Sequence, residues 1–98
     1  MFFAYMLFCA DGTYYVGHTD DLERRIAEHE EGGKCIYTTD RRPVRLVWSA
    51  ECSTRDDAKL IEHRVKNWSR VKKAALARGD FEGLRKAAKK KWDRLSSR

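Results

Sequence analysis

Phe2-Phe3-Ala4-Tyr5-Met6-Leu7-Phe8-Cys9-Ala10-Asp11-Gly12-Thr13-Tyr14-Tyr15-Val16-Gly17-His18 reads as two strands joined by a tight turn. Phe2 to Cys9 is continuously apolar, with the length of a strand covered on both faces. Asp11-Gly12 is a strong hairpin signal, and Thr13 to His18 is rich in β-formers. The turn type sets the register. A two-residue loop at Asp11-Gly12 pairs Tyr5 with His18 and turns Tyr5 and Tyr15 to opposite faces, because side chains alternate along a strand. A three-residue loop, Ala10-Asp11-Gly12, places Gly12 in a left-handed bulge. It pairs Cys9 with Thr13, Leu7 with Tyr15 and Tyr5 with Gly17, so both phenols share one face. Sequence alone permits either.

Beyond the hairpin, a helix is expected to start near Asp20, where Asp20 and Glu23 have capping-box spacing. Leu22, Ile26 and His29 form its inward stripe, Arg25 lies beside that stripe, and Gly32-Gly33 stops it. Lys34 to Arg42 reads as a loop with a short extended piece at Ile36-Tyr37-Thr38. Pro43 opens a strand, Val44 to Ala50, whose apolar positions suggest burial. A long helix is expected over residues 54–69, with Ala58, Ile61, Val65 and Trp68 inward and Glu62 flanking them. Gly79-Asp80 is expected to begin a last helix, Phe81 to about Trp92.

The 98 residues fit one domain over 1–98, with a core of about 2–78 and a basic C-terminal helix of about 79–98. Charge is unevenly placed. Residues 1–50 hold six Lys/Arg against eight Asp/Glu, and residues 51–98 hold fifteen against seven. A positive C-terminal half suggests a polyanion partner more than a membrane surface, since these basic helices lack a long bulky apolar face. The run Phe2 to Ala10 is too short to span a bilayer, and no basic segment precedes it as in a secretory signal. Cys9, Cys35 and Cys52 are odd in number and widely spaced, without a Cys-x-x-Cys pair. They point to a reduced, cytoplasmic setting without a structural zinc site.

The stretch Ala10 to His29, with Tyr14-Tyr15-Val16-Gly17 and Leu22-Glu23-Arg24-Arg25-Ile26-Ala27-Glu28-His29 inside it, resembles the signature region of the GIY-YIG nuclease superfamily, in particular its small single-domain members. The resemblance continues through Tyr37-Thr38, Arg42-Pro43-Val44 and Leu46-Val47, resumes in Ala58 to Lys73, and covers roughly residues 2 to 80. It implies an α+β fold, a small three-stranded antiparallel sheet flanked by helices, and a metal-dependent endonuclease site on one sheet face. By motif match it implies Tyr5 and Tyr15 as the two motif tyrosines, Gly17 as the close of the second motif, and Arg25 as the helix arginine. His29 matches the position one turn later, and Glu62 the metal-holding carboxylate. The first motif departs from the family pattern: it reads Phe3-Ala4-Tyr5, without glycine or isoleucine but with its tyrosine.

The same residues suit phosphodiester cleavage on chemical grounds. Mg²⁺ (or Mn²⁺) takes few protein ligands and keeps several waters, so one carboxylate, Glu62, suffices. Arg25 offers a forked donor where negative charge develops. Tyr5 is expected to be the general base, its phenolate favoured by Arg25 or a hydrated metal. Tyr15 and His29 then orient water and phosphate, in roles that are interchangeable at this stage. Lys34, Arg64, Lys66, Arg70, Lys72 and Lys73 are expected to contact a nucleic-acid backbone, DNA in the first instance. A targeting partner protein is compatible with so small a chain. Taken singly, each residue has an ordinary reading: strand tyrosines pack, helix charges are solvated, and a lone histidine fills an interface. Their joint order and spacing favour an endonuclease over a non-catalytic nucleic-acid-binding module or a protein-interaction domain.

Overall fold

The computed structural model describes residues 1–80. Strand β1 (Phe2–Cys9) runs antiparallel to β2 (Tyr14–Thr19), and the turn between them takes the three-residue form. Cys9 N–H donates to the Thr13 carbonyl and Gly12 N–H to the Cys9 carbonyl, both at 2.9 Å. Gly12 has φ +84°, a left-handed conformation that glycine enters without a Cβ penalty. Asp11 Oδ1 accepts from Thr13 N–H at 3.1 Å and from its hydroxyl at 2.6 Å, which ties the turn to the start of β2. Tyr5 therefore pairs with Gly17 and Leu7 with Tyr15.

A third strand, β3 (Val44–Cys52), pairs antiparallel with the other side of β1, giving the order β2-β1-β3. The register between β1 and β3 shifts at Met6/Leu7. The central strand is covered on both faces, as its unbroken apolar run predicts: Ala4, Tyr5, Met6, Leu7 and Cys9 are all buried. Strand β3 is less buried than its sequence suggests. Val44 and Cys52 are buried, but Leu46 is 38% exposed. A strand that pairs on one side within the sheet does not share the cover of the central one.

Helix α1 (Leu22–Glu31) lies on the face of Tyr5, Leu7 and Cys9, where Leu22 and Ile26 pack against the cluster those residues form with Val44. It starts one residue later than expected. Asp21 is the N-cap and accepts from Arg24 N–H at 3.1 Å, while Asp20 pairs with Arg24 and Arg55. Helix α3 (Arg55–Lys66), capped by Thr54, reaches the opposite face, that of Ala4, Met6 and His18. Its Ala58 and Val65 are buried.

Three expectations are corrected. Ile36-Tyr37-Thr38 is not extended. It forms a helical turn, α2 (Ile36–Thr39), because the Cys35 carbonyl accepts from Thr39 N–H at 3.0 Å and from its hydroxyl at 2.7 Å. Arg41 adds a bond to the Tyr37 carbonyl at 2.8 Å and lies over the Tyr37 ring. The helix expected over 54–69 ends at Lys66, so Trp68 lies beyond it. A separate helix, α4 (Arg70–Arg78), follows, with Ser69 accepting from Lys72 N–H at its start and Gly79 at φ +71° as its end. Gly79 thus closes a helix instead of opening one, and the helix expected from Phe81 to Trp92 lies outside the described residues.

By contacts, the chain divides into two compact units, Met1–Asn67 and the residues from Trp68 on. Among the described residues, no helix is long and apolar enough to cross a membrane. Cys9, Cys35 and Cys52 are free, and Cys9 is a buried apolar residue of the core.

Gly12→Ala keeps the fold but forces a Cβ into a left-handed turn. Its urea midpoint is expected to fall by the equivalent of about 1–2 kcal/mol with an unchanged m-value.

Candidate active site

The three-residue turn puts both phenols on the α1 face. Tyr5 pairs with Gly17, and its ring lies across the space a side chain there would fill. A Cβ on Gly17 would sit 2.7 Å from Tyr5 Oη and 2.8 Å from its Cζ. Tyr15, diagonal to it, has its ring centroid 6.3 Å from that of Tyr5 and 5.1 Å from that of His29. Tyr15 also meets Tyr37 of α2 and the Cys35 thiol.

Helix α1 brings two polar side chains to the Tyr5 oxygen. Arg25 and His29 are one turn apart and so project from the same side. Tyr5 Oη and His29 Nε2 are hydrogen-bonded at 2.8 Å, and Arg25 Nε donates to Tyr5 Oη at 3.4 Å. The other ring nitrogen of His29, Nδ1, is bonded to Thr38 Oγ1 at 2.8 Å. His29 and Thr38 are fully buried, whereas Arg25 keeps 26% of its side chain exposed. Arg25 Nη1 pairs with Glu28 Oε1 at 3.3 Å, and Lys34 Nζ meets the other Glu28 oxygen at 3.2 Å.

Glu62 comes from α3, which covers the opposite face. Its Oε2 is bonded to His18 Nδ1 at 2.7 Å, and Lys66 Nζ lies 3.8 Å from its Oε1. His18 follows Gly17 on β2, the outer strand beside Tyr5. The carboxylate is near enough for its charge to bear on the Tyr5 phenol. The five sequence-predicted residues thus divide. Tyr5, Tyr15, Arg25 and His29 form one connected cluster, and Glu62 reaches it electrostatically from beside His18.

Electrostatics refine the chemistry. Burial pushes the Tyr5 phenol above its ordinary value, outweighing the Arg25 hydrogen bond and charge that pull it down. The phenolate expected beside Arg25 is therefore not the resting form, and Tyr5 rests as a neutral phenol. Burial, followed by the Cys35 contact, also raises Tyr15. Burial and then the Arg25 charge lower His29 to about 4, so its imidazole is neutral at physiological pH. Burial works against the charge on Arg25, yet the hydrogen bond and charge of Tyr5 and the Glu28 contact hold its guanidinium above the usual value.

The donor set fits a lightly held divalent cation. Among the described residues, no three His, Cys, Asp or Glu side chains gather into a closed metal cage. A single carboxylate, 19% exposed, is the donor Mg²⁺ uses when its remaining positions go to water and phosphate.

Of the candidate backbone contacts, Lys34 is engaged with Glu28 and Lys66 with Glu62, while Arg64 is exposed on α3. Arg70, Lys72 and Lys73 belong to α4 in the second unit, where Lys72 Nζ sits 4.2 Å over the Trp68 ring. Sequence reasoning missed Thr38, Glu28 and Cys35 as members of the cluster and left His18 aside. His18 had a readable signal, its place next to Gly17. Thr38 had only its place in Tyr37-Thr38, one of the pairs that carry the family resemblance.

The family model for the GIY-YIG catalytic domain matches residues 1–75. The chain belongs to the GIY-YIG family. It is similar to UPF0213 proteins, small members of that family. One from Halobacterium salinarum is 42% identical over 78% of this chain and 99% of its own length. One from Natronomonas pharaonis is 43% identical over 76% of this chain and 87% of its own length. A solution NMR structure of a UPF0213 protein from Bacillus halodurans is 38% identical, covers 85% of this chain and 93% of its own, and superposes with a TM-score of 0.52. The GIY-YIG fold expected from the signature residues, a three-stranded antiparallel sheet with helices, is the fold found. The family is one of nucleases.

Two measurements probe this GIY-YIG site. Gly17→Ala drives a methyl into the Tyr5 phenol and should cost about 1–3 kcal/mol of unfolding free energy in urea. His29 titrates at an ordinary 6.5 when unfolded and at about 4 when folded, so the unfolded chain holds the extra proton between those values. Its contribution to stability is complete above pH 6.5 and is lost as pH falls through about 4, a drop of about 3 kcal/mol. His29→Phe should flatten the acid limb of a stability–pH curve by about that amount.

Proposed function

We propose that this chain is a divalent-metal-dependent endonuclease that hydrolyses phosphodiester bonds in DNA. The observation that supports this best is the Tyr5 oxygen, bonded to His29 Nε2 at 2.8 Å and to Arg25 Nε at 3.4 Å in a site only partly closed to solvent. A phenol between a neutral imidazole and a guanidinium is suited to take a proton from an attacking water. The same guanidinium is suited to the charge that builds on phosphorus.

In this reading Tyr5 is the general base. Arg25 exchanges its Glu28 contact for a phosphate oxygen, and Tyr15 packs against His29 to hold the reacting phosphate and water in line. Glu62 would hold Mg²⁺ or Mn²⁺, with His18 and Lys66 steadying the carboxylate. Bound there, the ion would supply positive charge at the phosphate and leaving oxygens. Lys34, Arg64, Lys66, Arg70, Lys72 and Lys73 would hold the DNA backbone, with affinity that falls as salt rises. The free cysteines support a cytoplasmic protein, and a partner protein would supply targeting.

Arg25→Ala and Glu62→Ala should each lower cleavage of a panel of duplex, branched and single-stranded DNA by on the order of 10²-fold or more. Circular dichroism should stay unchanged. EDTA should abolish cleavage and Mg²⁺ or Mn²⁺ restore it. Wild-type rates in either variant would refute the assignment. A protein that binds DNA but cuts none of the panel with either metal would instead be a binding module on a nuclease fold.

A further inference from the structure

Thr38 lies outside the reacting groups, on the short turn α2, yet it is fully buried and touches the buried edge of the site. Its hydroxyl has one proton and two lone pairs. That hydroxyl donates to the Cys35 carbonyl at 3.4 Å, a partner that can only accept. With its proton placed there, the hydroxyl accepts at His29 Nδ1, 2.8 Å away, which puts the ring proton on Nδ1. A neutral imidazole with its proton on Nδ1 presents a bare lone pair at Nε2. That lone pair faces Tyr5 Oη at 2.8 Å, so the phenol must donate to it. Arg25 Nε donates to the same oxygen, and with the Thr38 proton on the Cys35 carbonyl each bond in the chain takes one direction.

We propose that Thr38 is a positioning residue that locks His29 in the Nδ1–H tautomer, so that Nε2 receives the Tyr5 proton when Tyr5 takes one from water. The inference rests on the nuclease reading for its consequence, and on the hydrogen-bond chain alone for the tautomer. The step balances. Water gives a proton to Tyr5 Oη as the Tyr5 proton passes to His29 Nε2. The water oxygen forms a bond to phosphorus, the bond from phosphorus to the leaving oxygen breaks, and that oxygen takes a proton from solvent. The net change on the protein is one proton gained by His29, returned to solvent before the next turnover. In the free protein burial and the Arg25 charge oppose that proton. A phosphate bound to Arg25 offsets the second of these, which confines the transfer to the loaded site. With the opposite tautomer, Nε2–H would point at Tyr5, the phenol would have to accept, and the relay would be closed.

The test is ¹⁵N-histidine NMR of the folded protein near pH 7, with Thr38→Val and Thr38→Ser beside wild type. Wild type and Thr38→Ser should both show His29 protonated at Nδ1 and bare at Nε2. Thr38→Val removes the acceptor without changing side-chain shape and should shift His29 toward the Nε2–H form. On a duplex substrate it should lower kcat by on the order of 10²-fold or more with KM little changed, and Thr38→Ser should restore kcat. His29 protonated at Nε2 in wild type overturns the proposal, even if Thr38→Val does not fold. So does Thr38→Val with unchanged tautomer and unchanged kcat. If the wild-type protein shows the Nδ1–H form but cuts no DNA, the nuclease reading fails and the tautomer lock stands.

Discussion

One buried oxygen, Tyr5 Oη, holds together three groups that would each be costly where they stand if alone. A phenol, an imidazole and a guanidinium meet there, and the buried parts lose hydration that only their mutual hydrogen bonds replace. Gly17 makes the meeting possible, because a side chain at that position would occupy the space of the phenol. Helix α1 makes it stable, because Arg25 and His29 are one turn apart and reach the same atom. The result is a network with every buried side-chain polar atom partnered among the described residues, the condition under which a polar core specifies one geometry.

The sheet separates the parts of the site as much as it joins them. Tyr5, Tyr15, Arg25 and His29 lie on the face covered by α1, and Glu62 is carried by α3 from the other. What links the two sides is the outer strand β2, where Gly17 lies under Tyr5 and the next residue, His18, bonds to Glu62. Consecutive residues of a strand face opposite ways, so neighbours in the chain serve both halves. On the proposed reading, a cation at Glu62 and a phosphate at Arg25 would be brought together across β2.

The hairpin was legible as a hairpin, but its register was not. Asp11-Gly12 suits a two-residue turn as well as a bulged three-residue one, and composition does not reveal the bonds that Thr13 donates to Asp11 in the bulged form. The α1 stripe was legible because its period is regular, and Arg25 and His29 came with it. Thr38 was not, because Ile36-Tyr37-Thr38 has the β-branched and aromatic character of a strand. Its helical turn is imposed from outside by Thr39 on the Cys35 carbonyl and by Arg41 and Arg42 on nearby carbonyls. The basic run after residue 66 hid a helix start, since Ser69 is easily read as an interior residue when lysines and arginines continue on both sides. The resting state of Tyr5 depends on burial, which charge spacing alone does not report.

Glu28 gives the site a tethered counterion. With one oxygen on Arg25 and the other on Lys34, it holds, at a fixed effective concentration, the two cations that a phosphate would engage in the proposed nuclease. A free small anion gains little by displacing it, since one negative charge replaces another and the tether keeps returning the first. A chain of linked phosphates contends on better terms, because it can engage Arg25 and Lys34 together while Glu28 swings to water. On the proposed nuclease reading, the ion pair would act as a filter on valence, holding against single anions and yielding to a polymer of phosphates.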